Sequence, residues 1–216
     1  MEIILIRHTT PEVEPGTCYG KTDLGLPSSF ETEAENVLKL LPSQVHSIRT
    51  SPLFRCYSLA EFISKKMESS SFSPAWKVDD RIQELNFGEW EGRLWEDLPR
   101  SETDPWMEDY VNIRPPSGET YKELQARISL SWSDSLQEGR AWERLKKEEG
   151  DPSEYKEIWL SHGGPIRCTT ALALGLPLEN SFRLVLEYGS VSSLRIRFGE
   201  SESYPQLCYW NKKTKE

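Results

Sequence analysis

Apolar and polar positions fall in blocks along this chain, and the blocks read in turn as strands and helices. Residues 2–6 (Glu-Ile-Ile-Leu-Ile) are a β-branched, nearly unbroken apolar run, the pattern of a strand buried on both faces. Residues 9–27 hold Pro11, Pro15, Gly16, Gly20, Gly25 and Pro27 and predict a long loop, which inside a compact domain is usually functional. Ser28–Leu41 reads as a helix capped by Ser29, with Glu31 and Glu33 in its first turn and Val37, Leu38 and Leu41 on its apolar face. Val45–Thr50 reads as a second strand, Leu53–Lys66 as a helix and Trp76–Val78 as a third strand.

The second half repeats the alternation. Residues 84–115, with Trp90, Trp95, Trp106 and Tyr110, predict an irregular or helical insertion over one edge of a sheet. Gly118–Trp142, opened by Ser117 and carrying Leu124, Ile128 and Trp132, predicts a long helix; the charged residues 143–156 predict a solvated connector. Ile158–Leu160 is another apolar strand, Pro165–Leu174 a helix, and 191–198 and 205–210 close as strands. Strands alternating with helices imply an α/β fold: a three-layer sandwich whose mostly parallel sheet carries helices on both faces.

At 216 residues the chain suits one full-sized domain, 1–216, with the 84–115 insertion. A hydrophobic content of 37% beside 28% charged residues fits a soluble globular enzyme, and no apolar run approaches the ~20 residues of a membrane span. The chain opens as a core strand, so no leader and a cytoplasmic location are expected. Net charge is −9, and basic residues pair only at Lys65-Lys66, Lys146-Lys147 and Lys212-Lys213, with no longer Lys/Arg block, so no nucleic-acid partner is expected. Cys18, Cys56, Cys168 and Cys208 form no C-x-x-C, and three His include no H-E-x-x-H. Neither a metal, another cofactor nor a disulfide framework is expected.

Candidate chemistry sits at strand ends. The first strand runs into Arg7-His8, the second leads through Thr50-Ser51-Pro52 to Arg55, and a later one ends at Ser161-His162-Gly163-Gly164. Parallel strands bring their carboxyl ends together, where open α/β sheets bind ligands. An Arg beside a His there is well suited to holding a phosphoryl group while the imidazole attacks it. His46, at a strand start, reads as structural or surface.

Five motifs, Arg7-His8-Thr9, Ser51-Pro52-Leu53-x-Arg55-Cys56, Glu84-Leu85-x-Phe87-Gly88-x-Trp90-Glu91-Gly92, Pro116-x-Gly118-Glu119 and Ser161-His162-Gly163-Gly164, follow one another along nearly the whole chain. Their set and order resemble the histidine phosphatase superfamily, with its phosphoglycerate mutase-like fold. The Tyr19-Gly20-Lys21-Thr22-Asp23 segment and the short length are most similar to the α-ribazole phosphatase branch, which acts in assembly of the cobalamin lower ligand. The resemblance implies a phosphomonoester hydrolase acting on a small metabolite, with α-ribazole 5′-phosphate the leading substrate, in a monomer or homodimer. It implies His8 as nucleophile, His162 as a protonated donor to the phosphoryl group, and Glu84 as general acid with a pKa raised by aromatic neighbours such as Phe87 and Trp90. Arg7, Arg55, Thr9, Tyr19, Gly20 and Gly163 are the implied substrate-binding residues.

Plainer readings stand beside these. Asp79, Asp80 and Glu89 compete with Glu84, and the Trp residues at 90, 95 and 106 read more readily as packing than as a ligand platform. Two positions depart from the family pattern. Thr9 follows the nucleophile where many members have Gly, and Glu14 stands where an Asn is frequent; a carboxylate there would repel phosphate, so that part of the loop is expected to point away. Gly20-Lys21-Thr22 is no phosphate-binding P-loop, because Pro15 stands where its first Gly is needed and no helix follows directly; no G-x-S-x-G elbow exists either. Within the resemblance, the acidic and aromatic 95–115 segment favours a hydrolase over a phosphoglycerate mutase; a broad-specificity sugar phosphatase and a catalytically dead phospho-ligand scaffold are the further alternatives.

Overall fold

The computed structural model describes residues 1–68 and 73–214. Six strands, β1 (Glu2–Arg7), β2 (Ser47–Thr50), β3 (Ala75–Val78), β4 (Lys156–Ser161), β5 (Val191–Phe198) and β6 (Ser203–Lys212), form one sheet in the order β3-β2-β4-β1-β5-β6. The first four are mutually parallel, while β5 runs antiparallel to β1 and β6 antiparallel to β5.

Strand alternation divides β1 between two cores. Ile4 and Ile6 join Ile48, Ile158 and Leu160 under the helices α1 (Phe30–Leu38) and α2 (Phe54–Met67). Ile3 and Leu5 face the opposite core, with Trp159 and with Leu124, Ile128 and Ile166 of α4 (Tyr121–Glu149) and α5 (Gly163–Leu174). A shorter helix, α3 (Arg100–Glu108), lies within the predicted insertion. Trp90 and Trp106 are buried in that second core, as packing residues.

Three boundaries differ from the sequence reading, each for a local reason. The long helix does not stop at Trp142 but continues to Glu149, ending on Gly150 at φ +69°. The charged stretch is thus an exposed helix face, with Lys146 paired to Glu149 one turn on, rather than a connector. Its start is set by Thr120, whose hydroxyl accepts the Glu123 N–H while the Glu123 carboxylate accepts the Thr120 N–H; Ser117 lies in the preceding turn at φ +57°. At α1, Ser29 is already in helical conformation and donates to the Glu33 side chain instead of capping the backbone. No helix among the described residues is long and apolar enough to cross a membrane.

Candidate active site

Sheet register brings the motif ends together. Arg7 pairs with Ser161 across β1 and β4, and Thr50 with Leu160 across β2 and β4, so His8 and His162 leave neighbouring strands at the same level and Ser51 one residue below them. Antiparallel β5 starts at that same end. Gly189 N–H donates to the His8 carbonyl at 3.0 Å and Arg7 N–H to the Ser190 carbonyl at 3.2 Å, which carries Tyr188 into the site.

His8 is 1% exposed. Its Nδ1 lies 2.7 Å from the Thr9 carbonyl oxygen, an acceptor only, so Nδ1 carries the proton and Nε2 keeps its lone pair. Burial, then the guanidiniums of Arg55 and Arg7, hold its pKa well below the ordinary 6.5, against the raising effect of the Thr9 carbonyl. The ring centre lies 5.1 Å from that of His162 and 5.4 Å from that of Tyr188. A neutral imidazole with one bare nitrogen, enclosed by cations, is a nucleophile matched to an anionic electrophile.

Arg55, in the first turn of α2, is fully buried. Its Nε donates to His162 Nδ1 at 3.2 Å, Nη1 to the Thr22 carbonyl at 2.8 Å and Nη2 to the Gly20 carbonyl at 2.6 Å. The long 9–27 loop is anchored to the same helix start from the other side, since Asp23 Oδ1 accepts the Phe54 N–H at 2.7 Å. Arg7 stacks on Tyr188, Cζ 3.8 Å from the ring centre, and donates to the Leu186 carbonyl at 2.6 Å. None of these guanidinium bonds goes to a carboxylate, so their charge is left for a ligand. Arg7 Nε and Thr9 Oγ1 are buried with no partner among the described residues, so both are free to donate to a bound acceptor.

His162 lies beside His8. It is fully buried, Nδ1 accepts from Arg55, and Nε2 lies 2.8 Å from Ser51 Oγ. Burial, followed by Arg55 and His8, holds its pKa well below 6.5. In this arrangement it is a neutral imidazole, not an imidazolium, and both ring nitrogens are engaged.

Glu84 docks on the amino end of α5. Its Oε1 accepts the Leu85 N–H at 2.9 Å, and its two oxygens lie 3.1 and 3.2 Å from Gly164 N. A Cβ on Gly164 would sit 2.4 Å from Oε1, so glycine makes the approach possible. Phe87 and Trp90 pack edge-on with Trp95 and Trp106. Arg127 holds the backbone of this segment through the carbonyls of Arg81, Gln83 and Glu84. The rival carboxylates lie elsewhere. Asp79 is locked between Arg49 and Arg81, Asp80 is exposed against Gln83, and Glu89 is exposed and accepts from Ser117.

Gly20 is close-packed for the same reason as Gly164: a Cβ there would meet the Leu85 carbonyl oxygen at 1.8 Å. Tyr19 faces the Arg55 guanidinium, 5.5 Å from its ring centre, and its hydroxyl contacts that of Tyr188. Gly163 begins α5, with Arg7 and Arg167 around the space its missing side chain leaves. Glu14 is exposed, consistent with a loop segment turned away from the phosphoryl position. His46 accepts the Lys156 N–H at 3.0 Å, stacks on Tyr155 and packs at a tilt against Trp142, the structural role its place at a strand start implies.

Sequence reasoning missed Tyr188, Arg127 and Glu91. Glu91 ties two loops together, accepting from the backbone of Lys21, Thr22 and Phe87. It stands inside the Glu84–Gly92 motif, where the sequence alone assigns it no role. Tyr188 could have been found from one more step, that an antiparallel strand beside β1 must begin where β1 ends. Arg127 carried no such signal, being one of many charged residues on a long helix.

Known proteins agree with this architecture. A putative phosphoserine phosphatase 2 of Hydrogenobacter thermophilus is 26% identical over 216 residues, covering 97% of this chain and 95% of that protein. A probable phosphoglycerate mutase GpmB of Enterobacter sp. is 28% identical over 207 residues, covering 93% and 86%. The crystal structure of the α-ribazole phosphatase from Shigella flexneri superposes with a TM-score of 0.76 at 22% identity, covering 98% of this chain and 96% of that one. The family model of the histidine phosphatase superfamily (branch 1) matches residues 3–204, and with its motif histidines, arginines and glutamate converging at one sheet end, this chain belongs to that superfamily and is a histidine phosphatase.

Proposed function

We propose that the enzyme hydrolyses small phosphomonoesters without a metal ion, through a phosphohistidine on His8, and that α-ribazole 5′-phosphate is its substrate in cobalamin lower-ligand assembly. The observation that carries the chemistry is the His8 ring itself, with Nδ1 bonded to the Thr9 carbonyl and Nε2 bare beside Arg7 and Arg55. Nε2 attacks phosphorus in line with the ester oxygen. Arg7, Arg55 and the Thr9 hydroxyl hold the non-bridging oxygens, supplying the charge that metal ions supply elsewhere. Glu84 gives a proton to the departing alkoxide, then takes one from the water that attacks the phosphohistidine, restoring His8 and releasing phosphate. The α5 amino end, with the Gly163 N–H, adds a favourable dipole.

The substrate assignment draws support from the Tyr19–Asp23 segment and from the fold shared with an α-ribazole phosphatase. The activities named for the two relatives, a phosphoserine phosphatase and a phosphoglycerate mutase, make a carboxylate-bearing substrate the second reading. One panel decides: kcat/KM for α-ribazole 5′-phosphate, phosphoserine, 3-phosphoglycerate and sugar phosphates, each with and without EDTA. Highest kcat/KM for α-ribazole 5′-phosphate, unchanged by EDTA, is the expected result. Preference for another ester reassigns the substrate, and activity lost to EDTA and restored by magnesium removes the metal-free mechanism.

A further inference from the structure

A cleft of about 460 Å³ adjoins the phosphoryl site and is lined by Val13, Glu14, Tyr19, Phe87, Trp95 and Tyr188, among others. We propose that it is the leaving-group subsite and selects phosphomonoesters whose alcohol carries a planar aromatic body, neutral or cationic, over those carrying a carboxylate. The inference rests on the phosphatase reading above and adds the residues that choose the substrate.

Two shared walls join cleft and catalytic site. Tyr188 stacks on Arg7 and lies beside His8, while Tyr19 faces Arg55; their hydroxyls touch, so this pair stands between the nucleophile and the cleft. The 84–87 segment spans the other connection, with Glu84 on the Gly164 N–H and Phe87 in the cleft wall. An alcohol whose body extends past the Tyr19–Tyr188 pair occupies the space between the rings, with Phe87 as one wall. A second cleft, about 610 Å³, borders Arg7 itself and shares Tyr188; it is lined by Glu33, Asn36, Glu187 and Lys213 and includes none of the segment that carries Glu84.

Shape and charge then name the ligand. Trp90 and Trp106 are buried in the core, whereas Trp95, packed edge-on against Phe87, is 38% exposed and presents indole surface to the cleft. Aromatic walls favour flat partners through stacking. Glu14 is the one charged residue among those lining the cleft, and it is negative. It repels a carboxylate, and together with the negative ring faces it attracts a delocalised cation. The departure from the family pattern at position 14 thereby acquires a role outside the phosphate cradle.

The test compares 2-phenylethyl phosphate with butyl phosphate, two esters of primary alcohols that differ in the ring, and with 3-phosphoglycerate. The wild type is expected to show kcat/KM for the phenylethyl ester on the order of tenfold or more above the butyl ester, with phosphoglycerate lowest. Trp95→Leu should bring the phenylethyl-to-butyl ratio toward one, and Glu14→Gln should raise kcat/KM for 3-phosphoglycerate about threefold or more. Should Trp95→Leu fail to fold, competitive inhibition of the wild type by 2-phenylethylphosphonate and butylphosphonate reads the same preference. Equal kcat/KM for the two esters, equal inhibition by the two phosphonates, or a phosphoglycerate preference overturns the subsite while leaving the phosphatase reading intact. Absence of turnover with every ester would overturn that reading, and the subsite with it.

Discussion

Arg55 donates its Nε–H to His162 Nδ1 across 3.2 Å. That bond fixes the imidazole tautomer: Nδ1 is the acceptor, and the proton sits on Nε2 toward Ser51 Oγ, 2.8 Å away. With burial and further cations around it, His162 stays neutral. A phosphoryl dianion reverses the electrostatic balance, because it adds two negative charges where the buried imidazole now meets guanidiniums.

Proton uptake follows from that reversal. Binding of sulfate, a tetrahedral dianion that does not itself titrate in this range, should take up close to one proton at pH 7.5, measured by calorimetry in buffers of different ionisation enthalpy. His162→Gln should remove the uptake. If the wild type takes up none, His162 remains neutral with ligand bound and serves to orient Arg55 instead.

The same two buried imidazoles make stability depend on pH. Both His8 and His162 have folded pKa values held below 6.5, chiefly by burial, so the unfolded chain binds their protons first as pH falls. Stability is therefore full above about pH 7 and declines below about 6.5 until the folded pKa values are reached. Two groups together give a slope of about 2.7 kcal/mol per pH unit. Glu157, whose pKa burial raises, acts in the opposite sense. The useful comparison is thus urea unfolding of the wild type and of a His8→Asn, His162→Asn double variant at pH 7.5 and 5.5. Equal pH dependence in both proteins would refute the assignment.

His8→Asn should abolish turnover and the phosphoenzyme. His8 is 1% exposed, so Asn is the replacement that limits the hole opened beside Arg7 and Arg55. Quenching with labelled substrate should trap an acid-labile, alkali-stable adduct on the wild type and none on the variant. An undiminished adduct would move the nucleophile elsewhere.

How far the chain was legible depended on which physical signal each residue carried. The strands β1 and β4 and their polar ends stood out because parallel core strands are apolar on both faces and stop abruptly at Arg7-His8 and Ser161-His162. Residues 143–149 misled because charge marks exposure and not loop. The state of His162 was hidden as well, since it depends on Arg55, 107 positions away, meeting its Nδ1. Tyr188 escaped because the direction of β5 was not inferred, and without it the chain gives no reason to bring residue 188 beside residue 8.

Gly20→Ala tests how tightly the long loop is fitted. A Cβ at that position would lie 1.8 Å from the backbone oxygen of Leu85, and the Gly20 carbonyl itself receives an Arg55 Nη2 bond. Either the 84–87 segment or the Arg55 guanidinium has to shift. Displacements near 1 Å cost about 100-fold in well-placed catalytic groups, so kcat should fall by about that factor. A variant with wild-type kcat would show that the loop yields without moving either group.

Glu84→Gln separates a proton donor from a positioning group. The amide keeps an oxygen to accept the Leu85 and Gly164 N–H bonds, so the segment stays in place while the transferable proton is lost. Departure of an alkoxide needs that proton, and an alkyl phosphate should lose roughly 10²–10⁴-fold. p-Nitrophenolate leaves unaided, so the phosphorylation step with p-nitrophenyl phosphate should suffer far less. Turnover can still fall if Glu84 also activates water, which is why the burst of p-nitrophenolate is the quantity to measure. An equal loss in that first step for both esters would make Glu84 a positioning residue. The rival carboxylates are engaged elsewhere in this geometry: Asp79 is locked to Arg49 and Arg81, and Asp80 and Glu89 are exposed, held by Gln83 and Ser117.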